Sequence, residues 1–215
     1  VGSMLYFVAE QELISYHTDL KKIDKIKPAE AEDGFSNVFA LKGTVYVSTI
    51  KGITYQVDGN KLSLASISPI PTVRMVLPYG NQSLIMSEDH QFFLADQADS
   101  IREIQMEDVN YLKSGRVVTG AWVNERLLAL GTLNGGVVFV NPATGKTEEI
   151  INYYSGLPDN EVFCMQADAE GNVWVGHEYG FSCIAPQLPF RSFNHYTGLS
   201  GNILCAKTFN DKVYI

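Results

Sequence analysis

The side chains of this sequence that could take part in chemistry are few, and the three cysteines come first. Cys164, Cys183 and Cys205 form no CxxC pair, and an odd number cannot complete a set of intrachain disulfides. Each lies in an apolar run, namely VFCMQ, FSCIA and ILCAK. We expect them to be small buried hydrophobic residues, with a catalytic or redox thiol as the alternative.

Histidines and acidic residues show no spacing that would build a catalytic or metal site. The sequence contains no GxSxG, no HExxH, no phosphate-binding loop and no GxGxxG that follows a strand. Acidic pairs such as Glu88-Asp89 and Glu148-Glu149 fall at strand ends or turns, although carboxylates from different repeats could meet in the folded chain. We therefore predict no catalytic residue, no metal site and no cofactor. Four histidines are scattered without ligand spacing: His17, His90, His177 and His195.

Composition excludes several classes of function. The 215 residues are 46% hydrophobic and 19% charged, which is enough for a folded core, and the net charge is −8. The backbone of a nucleic acid would be repelled, so we expect no direct nucleic acid contact. No apolar run approaches the roughly 20 residues of a membrane helix. The opening segment, VGSMLYFVAE, lacks the features of a signal peptide and resembles the middle of a strand.

The elements that must position any functional side chain are short strands. Runs such as TVYVST, LLALGT, VVFVN and NVWVGH are rich in Val, Ile, Tyr, Phe and Trp, and turn residues separate them. No helical periodicity extends beyond about two turns. The sequence therefore predicts an all-β protein.

Two markers indicate that these strands belong to a repeated unit. A small polar position between two apolar strands recurs at spacings of 40, 38, 45 and 45 residues, at Ala9, Thr49, Ser87, Thr132 and His177. The pattern G-[LF]-x-(x)-N precedes an apolar run at 34–37, 156–160 and 198–202. A period of about 42 residues with about four short strands per copy is typical of a β-propeller blade. The predicted units are 1–33, 34–71, 72–113, 114–155, 156–197 and a truncated 198–215.

One unit can be interpreted strand by strand. Its inner strand is predicted at 162–168, its second at 172–177, its third at 181–186 and its exposed outer strand at 191–196. Gly171 suits a turn with positive φ, while Gly176 and Gly180 would allow close approach beside the channel. Trp174 is predicted to pack between neighbouring blades. Two further glycines open their units at the repeat marker, Gly156 and Gly198.

The same unit resembles the two-component regulator propeller repeat, approximately GLPxNxVxxIxxDxxGNLWIGTxxGL. The matching residues are GLPDN at 156–160 and DAEGNVWVG at 168–176. His177 stands where that repeat usually has Thr, and Phe181 replaces Leu. The resemblance covers 153–202, whereas the earlier units keep the strand rhythm and lack the GNxW core. Such a motif is fairly specific for the fold and much less so for function.

The resemblance implies an extracytoplasmic sensor of a membrane-bound regulator of Bacteroidetes-like bacteria. Such regulators are hybrid histidine kinases, or one-component regulators with a triple-tyrosine domain after the propeller. The expected location is the periplasm, with a tether to the inner membrane through a downstream region, and the expected ligand is an oligosaccharide. A homodimer of the full-length protein is compatible with this reading. The alternatives are an exported non-catalytic propeller that assists type IX secretion or protein interaction, and a polysaccharide lyase or glycosidase propeller.

Seven blades are usual in that family, which implies that the chain is part of a larger propeller. The alternative is a self-contained five-bladed ring. In that ring the segment 202–215 would supply the missing inner strand of the first blade, at 4–27.

A ligand would bind on one face of the propeller. The loops that enter the inner strands and the turns between second and third strands share that face, where amides and aromatic rings suit a sugar. Asn recurs at the strand entry, at 37, 160 and 202, which indicates a turn or cap role. His177 and Tyr179 break the repeat pattern and are the preferred ligand contacts. Replacing both with Ala is expected to abolish binding and to leave the melting temperature within a few degrees. The other ligand-face candidates are Lys51, Asn134, Asn160 and Glu178.

Overall fold

A computed structural model describes residues 3–27, 34–65, 67, 70, 72–96, 100–188 and 204–214. Nearly all regular structure in these residues is β-strand, in agreement with the prediction. The exceptions are one short helix, α1 (Val109–Gly115), and one turn of 3₁₀ helix at Tyr153–Ser155. None of the described helices is long and apolar enough to cross a membrane.

The strands form six antiparallel sheets in which each strand pairs with the next along the chain. The first sheet contains β1 (Met4–Ala9), β2 (Glu12–His17) and β3 (Lys22–Ile26), and the second contains β4 (Phe35–Leu41), β5 (Thr44–Thr49), β6 (Thr54–Asp58) and β7 (Lys61–Ala65). The third contains β8 (Val73–Tyr79), β9 (Gln82–Ser87), β10 (Phe92–Ala95) and β11 (Ile101–Ile104), and the fourth contains β12 (Val117–Asn124), β13 (Leu127–Thr132), β14 (Val137–Val140) and β15 (Thr147–Ile151). The fifth contains β16 (Cys164–Ala167), β17 (Val173–His177) and β18 (Gly180–Ile184), and the sixth contains β19 (Lys207–Phe209) and β20 (Lys212–Tyr214).

The first strands of successive sheets lie side by side, as expected of the innermost strands of propeller blades. β1 contacts β4, β4 contacts β8, β8 contacts β12, and β12 contacts β16. Each described core cluster lies between two successive sheets; one of them joins Met86 of β9 and Leu112 of α1 to Leu130 of β13. Since burying one such side chain contributes about 1.5–3 kcal/mol, these interfaces hold neighbouring blades together. The fold is a β-propeller.

The first sheet corrects the sequence alignment of the repeats. Two-residue turns join the first and second strands, and both turn residues have positive φ in the pairs Glu10–Gln11, Lys42–Gly43 and Asn210–Asp211. This is the conformation of a type I′ hairpin, so Ala9 ends an inner strand rather than a second strand. The residue equivalent to Thr49 is therefore His17, at the end of β2. The sequence alignment placed Ala9 incorrectly because the β1–β2 hairpin, whose turn lacks glycine, was mistaken for a turn between second and third strands.

A bulge recurs where the inner strands begin. The register with the second strand shifts between Phe35 and Asn37 in β4, and the same shift occurs in β8 and β12. The extra residue of each bulge is thereby re-aimed away from the ladder. These residues are Ser36, Arg74 and Val118.

Other sequence expectations have different outcomes. All three cysteines are exposed, not buried. Trp174 is 42% exposed and its ring lies 5.8 Å from that of Phe181; since residues 189–203 of the adjoining unit lie outside the described residues, its packing between blades stays a prediction. A Cβ at Gly180 would meet no atom within 4 Å, so its φ of +115°, not close packing, favours glycine there.

The closing strand of the alternative five-bladed ring is also not found. β19 and β20 pair with each other, and neither is hydrogen-bonded to the first sheet in the described structure. The predicted outer strand at 191–196 and the residues His195, Gly198 and Asn202 lie outside the described residues. Membership in a larger propeller stays a prediction.

Candidate functional site

The turns between second and third strands form one end of the blades, and a recurring hydroxyl holds them. Thr49 Oγ1 accepts the N–H of Ile53 at 3.0 Å, and Ser87 Oγ accepts that of Gln91 at 3.1 Å. Thr132 Oγ1 accepts the N–H of Gly135 at 2.8 Å and donates to the carbonyl of Gly136 at 2.9 Å. The small polar position of the repeat thus has a structural role, because its hydroxyl accepts a backbone N–H of the turn.

His177 occupies this position in the fifth sheet, but its turn is shorter. Only Glu178 and Tyr179 separate β17 from β18, and Gly180 follows with φ +115°. The imidazole is 7% exposed, its Nε2 lies 2.9 Å from Ser182 Oγ, and its Nδ1 is buried without a partner in the described structure. Replacing His177 with Ala is therefore expected to destabilise the blade, contrary to the expectation from sequence. Its role as a ligand contact stays a prediction.

Carboxylates and tyrosines gather beside this turn. One oxygen each of Asp159, Glu161 and Glu178 lies within 4.8 Å of the others. Tyr179, the next residue, is 73% exposed. Tyr153 and Tyr154 pack edge to face with ring centroids 5.6 Å apart, and the N–H of Tyr153 donates to Asn160 Oδ1 at 2.8 Å. We call this group the tyrosine–carboxylate patch: Tyr153, Tyr154, Asp159, Glu161, Glu178 and Tyr179.

Two of the sequence candidates enter the patch and one supports it. Glu178 and Tyr179 belong to it directly. Asn160 ties the 3₁₀ helix to the loop before β16, and its carbonyl accepts the N–H of Gly136 at 2.9 Å. These contacts confirm the turn role predicted for Asn160. They also bring the β13–β14 turn, which carries the exposed Asn134, next to that loop. Lys51 lies in the β5–β6 turn of the second sheet, whereas the patch lies where the fourth and fifth sheets meet.

The chemistry of the patch suits a ligand rich in hydroxyl groups. Carboxylate oxygens are strong acceptors for sugar hydroxyls, and an exposed tyrosine offers both a flat apolar face and a hydroxyl. Three carboxylates this close repel an anion. Their oxygens are also of the kind that bind hard cations, although exposed carboxylates without a cation are common.

The opposite end of the fifth sheet explains the DxxGNxW motif. Asp168 Oδ2 accepts the Asn172 amide at 3.0 Å and the Trp174 indole N–H at 2.9 Å. Its Oδ1 accepts the backbone N–H groups of Glu170 and Asn172 at 3.0 and 2.9 Å. These hydrogen bonds, led by that of the Asn172 side chain, lower the pKa of Asp168 to about 2. Gly171 has φ +83°, as predicted for this turn. The motif is therefore structural. Asp168 accepts all four of these hydrogen bonds, a role that sequence analysis did not single out.

The inner strands enclose two clefts along the channel. One, of about 410 Å³, is lined by β4, β8 and β12 and includes Asn37 and Arg74. The other, of about 670 Å³, lies towards the Asp168 end and includes Tyr79 and Trp122, whose rings stack 5.2 Å apart. Both could admit part of a small ligand.

Comparison with known proteins agrees with this architecture. Residues 156–179 match the family model described as two component regulator propeller. The fold resembles two proteins of B. thetaiotaomicron described as extracellular domains of hybrid two component systems. One, BT3049, is 15% identical with a TM-score of 0.63 over 98% of this chain and 30% of its own. The other, BT4673, is 19% identical with a TM-score of 0.62 over 85% and 26%.

Two other relatives extend the comparison. The WD40 propeller domain of Doa1 gives a TM-score of 0.62 at 11% identity, over 88% of this chain and 62% of that one. The lactonohydrolase oryL of Aspergillus oryzae is 34% identical over 99 residues, which covers 38% of this chain and 23% of that protein. The chain thus spans about a quarter of its curated relative. It is a β-propeller that carries a two-component regulator propeller repeat at 156–179.

Proposed function

We propose that this chain is the ligand-sensing part of an extracytoplasmic propeller in a membrane-bound signal-transduction regulator. The observation that carries the proposal is the regulator propeller repeat at 156–179, in a chain whose fold resembles extracellular domains of such regulators. The output domain, downstream of this chain, would be a histidine kinase or a transcription regulator. A periplasmic location belongs to the same proposal.

The ligand in this proposal is an oligosaccharide that binds on the tyrosine–carboxylate patch. The patch combines exposed tyrosines with carboxylates on the face where the inner-strand entries and the turns between second and third strands meet. It is also built by residues that differ between the units, whereas the recurring residues hold turns. A binding site is expected in the variable positions of a repeat, because the shared ones maintain the blade.

Calorimetric titration of the chain with a panel of oligosaccharides tests this proposal. We expect one class to bind and Tyr179→Ala to weaken that binding at least about tenfold, because a stacked aromatic ring contributes about 0.5–1.5 kcal/mol beyond its buried area. Phe209→Ala is the matched control, since this ring is also exposed, on the β19–β20 hairpin. Equal affinity of the Tyr179→Ala variant and the wild type would refute the assignment of the patch.

An enzyme acting on lactones is the second candidate, favoured by the 34% identity to the lactonohydrolase. The carboxylates of the patch would then activate water. Alkali consumption with a panel of sugar lactones would detect such turnover. If the chain hydrolyses a lactone and Glu178→Gln abolishes that hydrolysis, the enzyme replaces the sensor as the proposed function. If no lactone is hydrolysed, the sensor proposal stays in place. A non-catalytic exported propeller, such as one assisting type IX secretion, would bind no saccharide in the titration.

A further inference from the structure

The ligand face has a second group of charged side chains, in which the cations Arg74 and Lys113 accompany the acidic residue Glu88. Arg74 is the bulged residue at the start of β8, and Lys113 lies in the last turn of α1. His90 lies in the β9–β10 turn between them in sequence. The N–H groups of Leu133 and Asn134 bond to the carbonyls of Arg116 and Gly115, so the end of α1 adjoins the turn next to the patch.

His90 is held in an unusual conformation with an unused ring nitrogen. Its φ is +59°, a left-handed value that is uncommon for a residue other than glycine. Its N–H donates to the Ser87 carbonyl at 3.1 Å, and its Nε2 is buried without a partner in the described structure. Burial, together with the positive charges of Arg74 and Lys113, lowers the pKa of His90. The ring nitrogen is closed to solvent, so His90 is a structural part of this turn and leaves ligand binding to Arg74.

Arg74 connects this group to the channel. It lines the cleft of about 410 Å³ together with Asn37 and with apolar residues of β4, β8, β9 and β12. Its Nη1 lies 3.4 Å from Glu88 Oε2, and its side chain is 33% exposed. A guanidinium has five N–H donors in a planar fork, so one long ion pair leaves donors for a ligand. Asn37 bonds through Nδ2 to the Arg74 carbonyl at 2.9 Å, which fixes the bulge.

We propose that Arg74 binds an anionic group of the ligand at the mouth of this cleft, and that Lys113 adds positive charge nearby. The ligand class is an anionic oligosaccharide, and its charged group is either the carboxylate of a uronic acid or a sulfate ester. This inference rests on the proposed function and narrows it. The tyrosine–carboxylate patch repels an anion, so the two groups together orient the ligand with its charge towards Arg74.

Titration with three saccharides of similar length tests the proposal: an oligogalacturonate, a sulfated galactose oligosaccharide that lacks carboxylates, and a neutral galactose oligosaccharide. We expect an anionic saccharide to bind at least about tenfold more tightly than the neutral one, and less tightly as salt is added. Binding of the galacturonate alone identifies the carboxylate as the recognised group. Binding of the sulfated saccharide alone identifies the sulfate.

Two arginine variants separate the specific site from general charge. Arg74→Gln should weaken anionic binding at least about tenfold, because charge-assisted hydrogen bonds are lost. Arg126→Gln, in the exposed β12–β13 turn at the other end of the blade, should have no effect. Unfolding curves of both variants check that they fold.

Three outcomes overturn the inference. A neutral saccharide that binds best through Tyr179 overturns it and leaves the proposed function standing. Anionic binding that a folded Arg74→Gln variant retains also overturns it. The third outcome, no binding of any saccharide, overturns the proposed function and this inference with it.

Discussion

The recurring hydroxyl of the turns between second and third strands gives the sharpest test of how the repeat works. Thr132 is fully buried, and its Oγ1 accepts the Gly135 N–H at 2.8 Å while donating to the Gly136 carbonyl at 2.9 Å. Thr132→Val keeps the shape of the side chain and removes both bonds. The buried N–H of Gly135 is then left without this acceptor, which costs about 1–3 kcal/mol.

The expected loss can be measured by urea or thermal unfolding. In a protein of this size each kcal/mol lowers the melting temperature by about 2–4 °C, so the variant should melt roughly 2–12 °C lower. Thr147 provides a matched control, because its Oγ1 is buried without a partner in the described structure. Thr147→Val is therefore expected to change the free energy of unfolding by less than about 0.5 kcal/mol. Equal effects of the two substitutions would refute the view that the hydroxyl of Thr132 holds the turn.

Three further predictions concern the blade ends. Because the folded pKa of Asp168 is about 2, against 3.8 ordinarily, the stability it contributes is present above pH 3.8 and is lost as the pH falls towards 2; urea unfolding followed by Trp174 fluorescence should show this dependence, and Asp168→Asn should remove it. The lowered pKa of His90 makes the folded chain less stable as the pH falls below 6.5. The urea midpoint of unfolding should therefore decrease as the pH falls in that window, and His90→Gln should reduce this pH dependence. Gly176→Ala would place a Cβ 2.6 Å from Cys164 Sγ and should destabilise the chain by about 1–3 kcal/mol; if Cys164→Ala in the same chain restores no stability, close packing is not the reason for the glycine.

The sequence predicted the fold because strand rhythm and repeat period are properties of the chain itself. Its errors have physical causes. The cysteines were expected inside because their neighbours are apolar, but successive residues of a strand face opposite sides, so Cys183 is exposed although Ile184 is buried. Sequence analysis also missed that the indole N–H of Trp174 donates to the carboxylate of Asp168, six residues before it.

Sequence analysis could predict only some residues of the candidate site. Glu178 and Tyr179 could be recognised because they interrupt a pattern. Asp159 and Glu161 could not, since they meet Glu178 only when the loop before β16 and the β17–β18 turn fold against each other. Arg74 was missed for a similar reason. Its exposure at the channel depends on a bulge, and a bulge leaves no clear mark in a single sequence.

The division between shared and variable residues has a consequence for function. At one end of the blades, buried hydroxyls such as that of Thr132 hold the turns, and at the other end Asp168 holds the hairpin of the fifth blade. These residues are saturated with hydrogen bonds inside their own blade, so they have little left to offer a ligand. The side chains that we propose for ligand binding instead occupy positions that vary between the blades, at Arg74 and in the tyrosine–carboxylate patch. A ligand bound to both, as proposed, would contact the third, fourth and fifth sheets, and its recognition by separate blades would couple binding to a change in their packing.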